Sequence, residues 1–224
     1  MTMLLSVQEL VKTYHRDQVP VLALDHVRLD LELGCFAGIS GPSGSGKSTL
    51  LAVLAGLLPA DKGQVIFNGL ELTSLNDKER SLLRNRDIGY IPQGHSILAN
   101  FSVLENVCLP VYLTSANADP TPRAIDLLGR LGVAHLAEQR PAQLSGGELR
   151  RVSIARGLIQ KPKLLLADEP TGDLDQENAD NVMALFRDIA SQGIAVLLVT
   201  HDQYQTYGFD RVLYMQDGIL NPAY

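Results

Sequence analysis

The residues Gly41-Pro42-Ser43-Gly44-Ser45-Gly46-Lys47-Ser48 have the spacing G-x-x-x-x-G-K-S, between an apolar stretch and a helix-like one. A glycine-rich turn from strand to helix can curl its backbone N–H groups around a polyphosphate. The helix that begins near Lys47 points its positive end at the same anion. Lys47 adds a mobile positive charge for the outer phosphates, and the Ser48 hydroxyl is a ligand for Mg²⁺. The pattern predicts binding of a nucleoside triphosphate. The alternative is a chance loop, against which the strand–turn–helix setting argues.

Two further groups of residues could do chemistry. In Lys163-Leu164-Leu165-Leu166-Ala167-Asp168-Glu169-Pro170-Thr171 an apolar strand ends in two carboxylates. Ligands gather at the carboxyl ends of parallel strands. Asp168 is therefore placed to reach the Mg²⁺ held by Ser48. Glu169 follows immediately, so it points elsewhere and could polarise an attacking water. Taken alone, the pair reads equally as a helix cap after a buried strand; beside the phosphate loop the catalytic reading is favoured. In Leu144-Ser145-Gly146-Gly147-Glu148 a hydroxyl and two glycines open a helix running to about Gln160. Small residues there expose backbone N–H groups to an anion. The plainer reading is a capping box, Ser145-x-x-Glu148.

These groups need a scaffold. Strands are predicted near 3–11, 27–33, 35–40, 64–67, 88–91, 163–168, 194–200 and 211–216, and helices at 47–57, 77–84, 102–108, 122–131, 147–160 and 176–191. The runs near 163–168 and 194–200 are apolar throughout, as in a parallel sheet buried on both faces. Asn68-Gly69 is a hairpin turn signal. No linker divides the 224 residues, so one domain is expected, with a core at about 1–92 and 161–224 and a helical insertion at about 93–160. Hydrophobic content of 46% indicates a globular chain, and no apolar run reaches the length of a membrane span. The N-terminus has no basic region followed by a long apolar one, so no secretion signal is expected. Cys35 and Cys108 lack metal-like spacing and suggest a reducing cytoplasm. The net charge of −6 argues against a nucleic-acid partner.

Taken together in this order, the motifs resemble the ATP-binding cassette (ABC) ATPase family. The resemblance runs from Gly41–Ser48 through Gln93, Leu144–Glu148, Asp168-Glu169 and Gly172-Asp173-Leu174-Asp175 to Thr200-His201-Asp202. It implies an α/β fold: a P-loop NTPase core of ABC ATPase type, a helical subdomain and an N-terminal antiparallel β part. It implies ATP contacts at Tyr14, which looks like the aromatic stacked on adenine, at Gly41, Pro42, Ser43, Gly44, Ser45, Gly46, Lys47, Ser48 and Thr49, and at Ser145, Gly146, Gly147 and Glu148. Mg²⁺ is implied at Ser48, Gln93 and Asp168. Catalytic roles are implied for Glu169 on the lytic water, Gln93 as the lever that senses the transporter, and His201 as the contact to the γ-phosphate. Asp173 and Asp175 look like the loop that communicates between subunits.

The family works as a head-to-tail pair, so the implied partners are a second ATPase subunit and an integral membrane permease, with this chain peripheral on the cytoplasmic face of the membrane. One phosphate loop covers one side of ATP, and the Ser145-Gly146-Gly147 helix end of the partner would close the other. Phe101–Pro110, with Glu105-Asn106-Val107, is similar to the group serving lipoprotein release, macrolide or peptide export, and cell-division complexes. A cell-division ATPase acting as a mechanical regulator remains open. A DNA-maintenance ATPase of related fold is disfavoured, because no cysteine cluster or long heptad run separates Ser48 from Ser145. Glu148 stands where glutamine is usual, and Cys35 where an acid is commoner. Ala37-Gly38 make the strand before the loop unusually small. The chain ends soon after the turn Asp217-Gly218, which leaves no room for a regulatory domain. The apolar residues Ile97, Leu98, Phe101, Val103 and Leu104 are expected to divide between the helical core and a surface for the membrane partner.

Overall fold

The computed structural model describes residues 3–16, 19–94, 96–115, 118–200 and 208–223. In chain order the elements are β1 (Met3–Arg16), β2 (Val19–Glu32), β3 (Phe36–Ser40), α1 (Lys47–Leu54), β4 (Lys62–Phe67), β5 (Leu70–Glu71), α2 (Asp77–Asp87) and β6 (Ile88–Ile91). They continue with α3 (Val103–Tyr112), α4 (Thr121–Arg130), α5 (Gly146–Leu158), β7 (Leu164–Asp168), α6 (Gln176–Ser191), β8 (Ala195–Val199), β9 (Arg211–Gln216) and β10 (Ile219–Pro222).

The two continuously apolar runs become β7 and β8, buried at every position. They lie inside a six-stranded sheet of order β10-β9-β3-β8-β7-β6, parallel except for the terminal β9–β10 hairpin. Alternate side chains of a strand leave on opposite faces. Leu164 and Leu166 accordingly join α1 (Leu50, Leu51, Leu54) and the antiparallel sheet (Leu5, Leu24, Phe67) in one core. Leu165 and Ala167 join Val107, Leu128, Ile154 and Phe186 of α3, α4, α5 and α6 in the other. The antiparallel sheet has the order β2-β1-β4-β5. The described residues of 93–160 contain α3, α4, α5 and short 3₁₀ turns but no strand. Among the described residues no helix is long and apolar enough to cross a membrane.

Two differences from the sequence expectations, and one feature noted there, have physical causes. The first hairpin is much longer than the strands expected at 3–11 and 27–33. Register shifts along the β1–β2 ladder, with left-handed residues at Glu9 (φ 51°) and His26 (φ 48°), break the two-residue alternation that marks a strand. Its outer part also leaves Val19, Val21 and Leu22 exposed. Strands β5 and β10 were not expected; each follows a turn with two successive positive φ angles, Asn68-Gly69 (50°, 79°) and Asp217-Gly218 (48°, 81°), the geometry of a type I′ hairpin. The smallness of Gly38 is explained by Phe209: a Cβ on Gly38 would lie 3.1 Å from its ring. Phe209 in turn lies 4.6 Å, centroid to centroid, from Phe36.

Candidate active site

The phosphate loop leaves the end of β3 and enters α1. Two glycines are obligatory there: a Cβ on Gly41 (φ 144°) would sit 1.9 Å from the Met215 carbonyl, and one on Gly46 (φ 105°) 2.1 Å from that of Ala23. Gly46 is the N-cap of α1 and supplies no side-chain cap. The first N–H groups of the helix thus have no side chain of the cap residue on them, as an anion site requires.

Lys47 is engaged with its own loop. Its side chain is only 5% exposed, and Nζ donates to the carbonyls of Gly41 (2.8 Å) and Pro42 (2.7 Å), with Ser45 Oγ at 3.4 Å. Burial lowers the ammonium's pKa, while the charges of Glu169 and Asp168 push it back up. In this conformation the lysine holds its own loop closed.

Above the loop lies a cleft of about 370 Å³. Ser43, Gly44, Gly46, Lys47, Ser48 and Thr49 form its floor. Tyr14 stands on one wall with Val21 and Ala23, and Gln93 and Glu169 form the other. Tyr14 reaches this place because the hairpin extends that far, where it pairs with Val21 across the strands. Gly41, Pro42 and Ser45 do not line the cleft; they shape and brace its floor.

At the end of β7 the two carboxylates diverge. Asp168 is buried and points at Ser48, whose hydroxyl bonds to it. Burial raises its pKa most; the Ser48 hydrogen bond, Arg150 and Lys47 act the other way. Its Oδ1 has no hydrogen-bond partner. A buried carboxylate oxygen left unpaired is costly unless something fills its lone pairs. A hydroxyl beside an unpaired carboxylate oxygen is the oxygen-only donor set that a hard cation such as Mg²⁺ takes, completed by phosphate and water. Among the described residues there is no cluster of three or more His, Cys, Asp or Glu that could make a protein-only metal cage. Glu169 adopts left-handed φ (49°), which turns its side chain away from Asp168 and into the cleft. There Gln93 Nε2 donates to Glu169 Oε2 at 2.8 Å.

The remaining expected residues stand elsewhere. Ser145 and Gly146 are exposed at the start of α5, and Ser145, Gly146, Gly147 and Glu148 do not line the cleft. The capping box is present: Ser145 Oγ accepts from Glu148 N (3.3 Å), and Glu148 Oε2 accepts from Ser145 N (2.7 Å) and Oγ (2.8 Å). These bonds hold the Glu148 carboxyl below its usual range. His201 lies outside the described residues. Val21 and Ala23 were missed because the hairpin that carries them was not read as strand; Val21 is the cross-strand neighbour of Tyr14, and that pairing was the available signal.

The segment 98–110 has its own logic. Ser102 and Glu105 form a capping box for α3. The buried Asn106 side chain accepts from Leu98 N (2.8 Å) and donates to the carbonyls of Leu98 (3.0 Å), Phe101 (3.2 Å) and Ser102 (2.9 Å). Val103 and Val107 are in the core, whereas Leu98 and Phe101 are held at the surface. Next to this segment is a recess of about 620 Å³ between α2, β6 and the C-terminal parts of α3 and α5. Leu57, Leu82 and Leu113 make it apolar, and Arg84 and Arg156 meet no carboxylate among the described residues.

Residues 24–172 match the ABC transporter family. The chain is 45% identical over 221 residues to the lipoprotein-releasing system ATP-binding protein LolD of Shewanella frigidimarina, covering 97% of this chain and 92% of that one. It is 44% identical to the LolD of Pseudomonas fluorescens, over 97% and 96% of the two chains. In three dimensions it is similar to the dimeric post-hydrolysis state of the ATP-binding cassette MJ0796 bound to ADP and Pi (TM-score 0.91, 32% identity, 96% of each chain). A second dimeric structure of MJ0796, a bacterial ABC transporter cassette, matches with TM-score 0.92 and 33% identity over 96% of each chain.

Proposed function

The chain belongs to the ABC transporter family, and on that premise we propose that it is the ATP-hydrolysing subunit of a lipoprotein-releasing membrane transporter. The observation that carries the chemistry is one cleft with the phosphate loop as floor and the hydrogen-bonded pair Gln93–Glu169 as wall. Tyr14 and Val21 take the adenine end, and loop N–H groups and the start of α1 take the phosphates. Lys47 leaves the Gly41 and Pro42 carbonyls for phosphate oxygens. Ser48 and Asp168, with Gln93, would hold Mg²⁺, which would supply positive charge to offset that of the phosphates. Glu169 receives the proton of the attacking water, oriented by Gln93, and His201 contacts the γ-phosphate.

Ser145-Gly146-Gly147 do not line the cleft. A second copy, head to tail, supplies those residues to close it, so ATP joins two subunits and hydrolysis releases them. The integral membrane subunit docks a cytoplasmic helix in the groove lined by Leu82, Ser96, Pro110 and Leu113, and the chain sits peripherally on the cytoplasmic face.

The test is reconstitution with the membrane subunits in proteoliposomes loaded with a lipidated protein. ATP-dependent transfer of that protein to a soluble acceptor is expected. Stimulated hydrolysis with no such transfer, under conditions where the membrane subunits bind, would assign the energy to another task.

A further inference from the structure

We infer that Arg150 is a positioning residue for hydrolysis, tying the helix that begins at Ser145 to the Gln93–Glu169 pair. Its side chain is 1% exposed, the most voluminous of the fully buried ones among the described residues. Among the described residues its guanidinium donates to no carboxylate. It donates instead to backbone carbonyls: Nη1 to Pro92, and Nη2 to Glu169 and, at 3.3 Å, to Asp168. Nε has no partner.

Burying a guanidinium is expensive, and an apolar side chain of similar volume would fill the space at less cost. What the fork achieves is a junction between three segments. Pro92 immediately precedes Gln93; Asp168 and Glu169 end β7; Arg150 itself is one turn and a half into α5. Gln93 Nε2 on Glu169 Oε2 closes the circuit, so the two catalytic-pair residues are linked twice, once by side chains and once through Arg150. Glu169 is held in left-handed φ, a strained conformation for a non-glycine residue that persists only when its surroundings fix it. The bond from Arg150 to its carbonyl and the bond from its N–H to Val199 O (2.9 Å) are two such restraints.

The helix is a stiff carrier for this junction. A Cβ on Gly89 of β6 would fall 2.4 Å from the Gly157 carbonyl of α5, so helix and strand touch backbone to backbone. A displacement of the Ser145 end therefore reaches Pro92 and Glu169 through Arg150. This inference rests on the reading of Glu169 as the base.

The experiment is a double-mutant cycle of Arg150→Met with Glu169→Gln, read by single-turnover hydrolysis and by the split of kcat from KM. In the wild-type background Arg150→Met should lower kcat about 10- to 100-fold, the scale of an ångström-sized misplacement, with KM for ATP changed less than about twofold. Arg150→Lys keeps the charge without the fork and should recover only part of kcat. In the Glu169→Gln background the Arg150 change should cost less than about twofold, because there is no base left to position. Equal losses in both backgrounds, or a loss confined to KM or to the folded fraction, would overturn the inference. If the methionine variant does not fold, Arg150→Gln runs the same cycle with an amide donor in place. A Glu169→Gln protein that turns over like wild type would overturn the underlying reading of the base, and this inference with it. Additive losses alongside a slow Glu169→Gln protein would overturn this inference alone.

Discussion

Glu169→Gln separates the base from everything else Glu169 does. The replacement has the same shape. The backbone bonds of Glu169, its N–H to Val199 O and its carbonyl to Arg150 and to Gly172 N (3.2 Å), do not involve the carboxylate. The 2.8 Å bond from Gln93 can pass to the new amide oxygen. Folding stability should therefore change by no more than about 0.5 kcal/mol. The basicity alone is lost, and a positioned base contributes about 10²–10⁴ in rate, or about 3–5 kcal/mol in the barrier. Removing a negative charge that the Lys47 ammonium feels across the cleft should also tighten ATP binding. Phosphate release, nucleotide titration and sizing chromatography with ATP and Mg²⁺ read the three effects. Hydrolysis slower by at least about 10², with intact binding and an accumulating dimer, is expected. Turnover within about fivefold of wild type, or binding lost in parallel with turnover, would refute the assignment of the base.

Lys47→Met should leave a folded domain that no longer hydrolyses ATP, with nucleotide affinity lowered about 10- to 100-fold for the lost charge-assisted bonds; near-normal hydrolysis would count against the site. Asn106→Leu leaves four backbone groups of residues 98–102 without their buried partner and should cost about 1–3 kcal/mol, read by denaturant titration, while basal ATPase per folded molecule persists. For Asp210, burial pushes the carboxyl up, but the Arg187 guanidinium and the Phe36 N–H outweigh it and hold the pKa below its ordinary value. Its contribution to stability is then present above the ordinary carboxylate pKa and is lost as pH falls through the depressed one. Asp210→Asn should flatten that acid-side slope of stability, and an unchanged slope would contradict it.

What could be read in the sequence was what is local. The phosphate loop, the apolar runs of β7 and β8, and the cap at Ser145 each declare themselves within a few residues. The residues that stayed hidden depend on partners far along the chain. Gly38 is small because of Phe209, Gly89 because of Gly157, and Arg150 is buried because Pro92, Asp168 and Glu169 converge on it. The reach of the first hairpin was hidden for another reason: its outer strands have no buried face, so they lack the alternation on which strand recognition depends.

The groups expected to bind nucleotide are not idle in the fold. Lys47 Nζ is on two loop carbonyls, and the Ser145 hydroxyl is on Glu148. Binding at either place is an exchange of hydrogen bonds, so only the difference in strength contributes to affinity. For Lys47 the exchange trades neutral carbonyls for charged phosphate oxygens, which favours the ligand. For Ser145 it trades a carboxylate for a phosphate, like for like, and leaves the displaced Glu148 charge beside the arriving one. The loop half of the site is therefore built to bind nucleotide by itself. On the proposed head-to-tail pairing, the Ser145 half would contribute only when a dianionic γ-phosphate is presented to it in a fixed position, which would distinguish ATP from ADP at the closed interface.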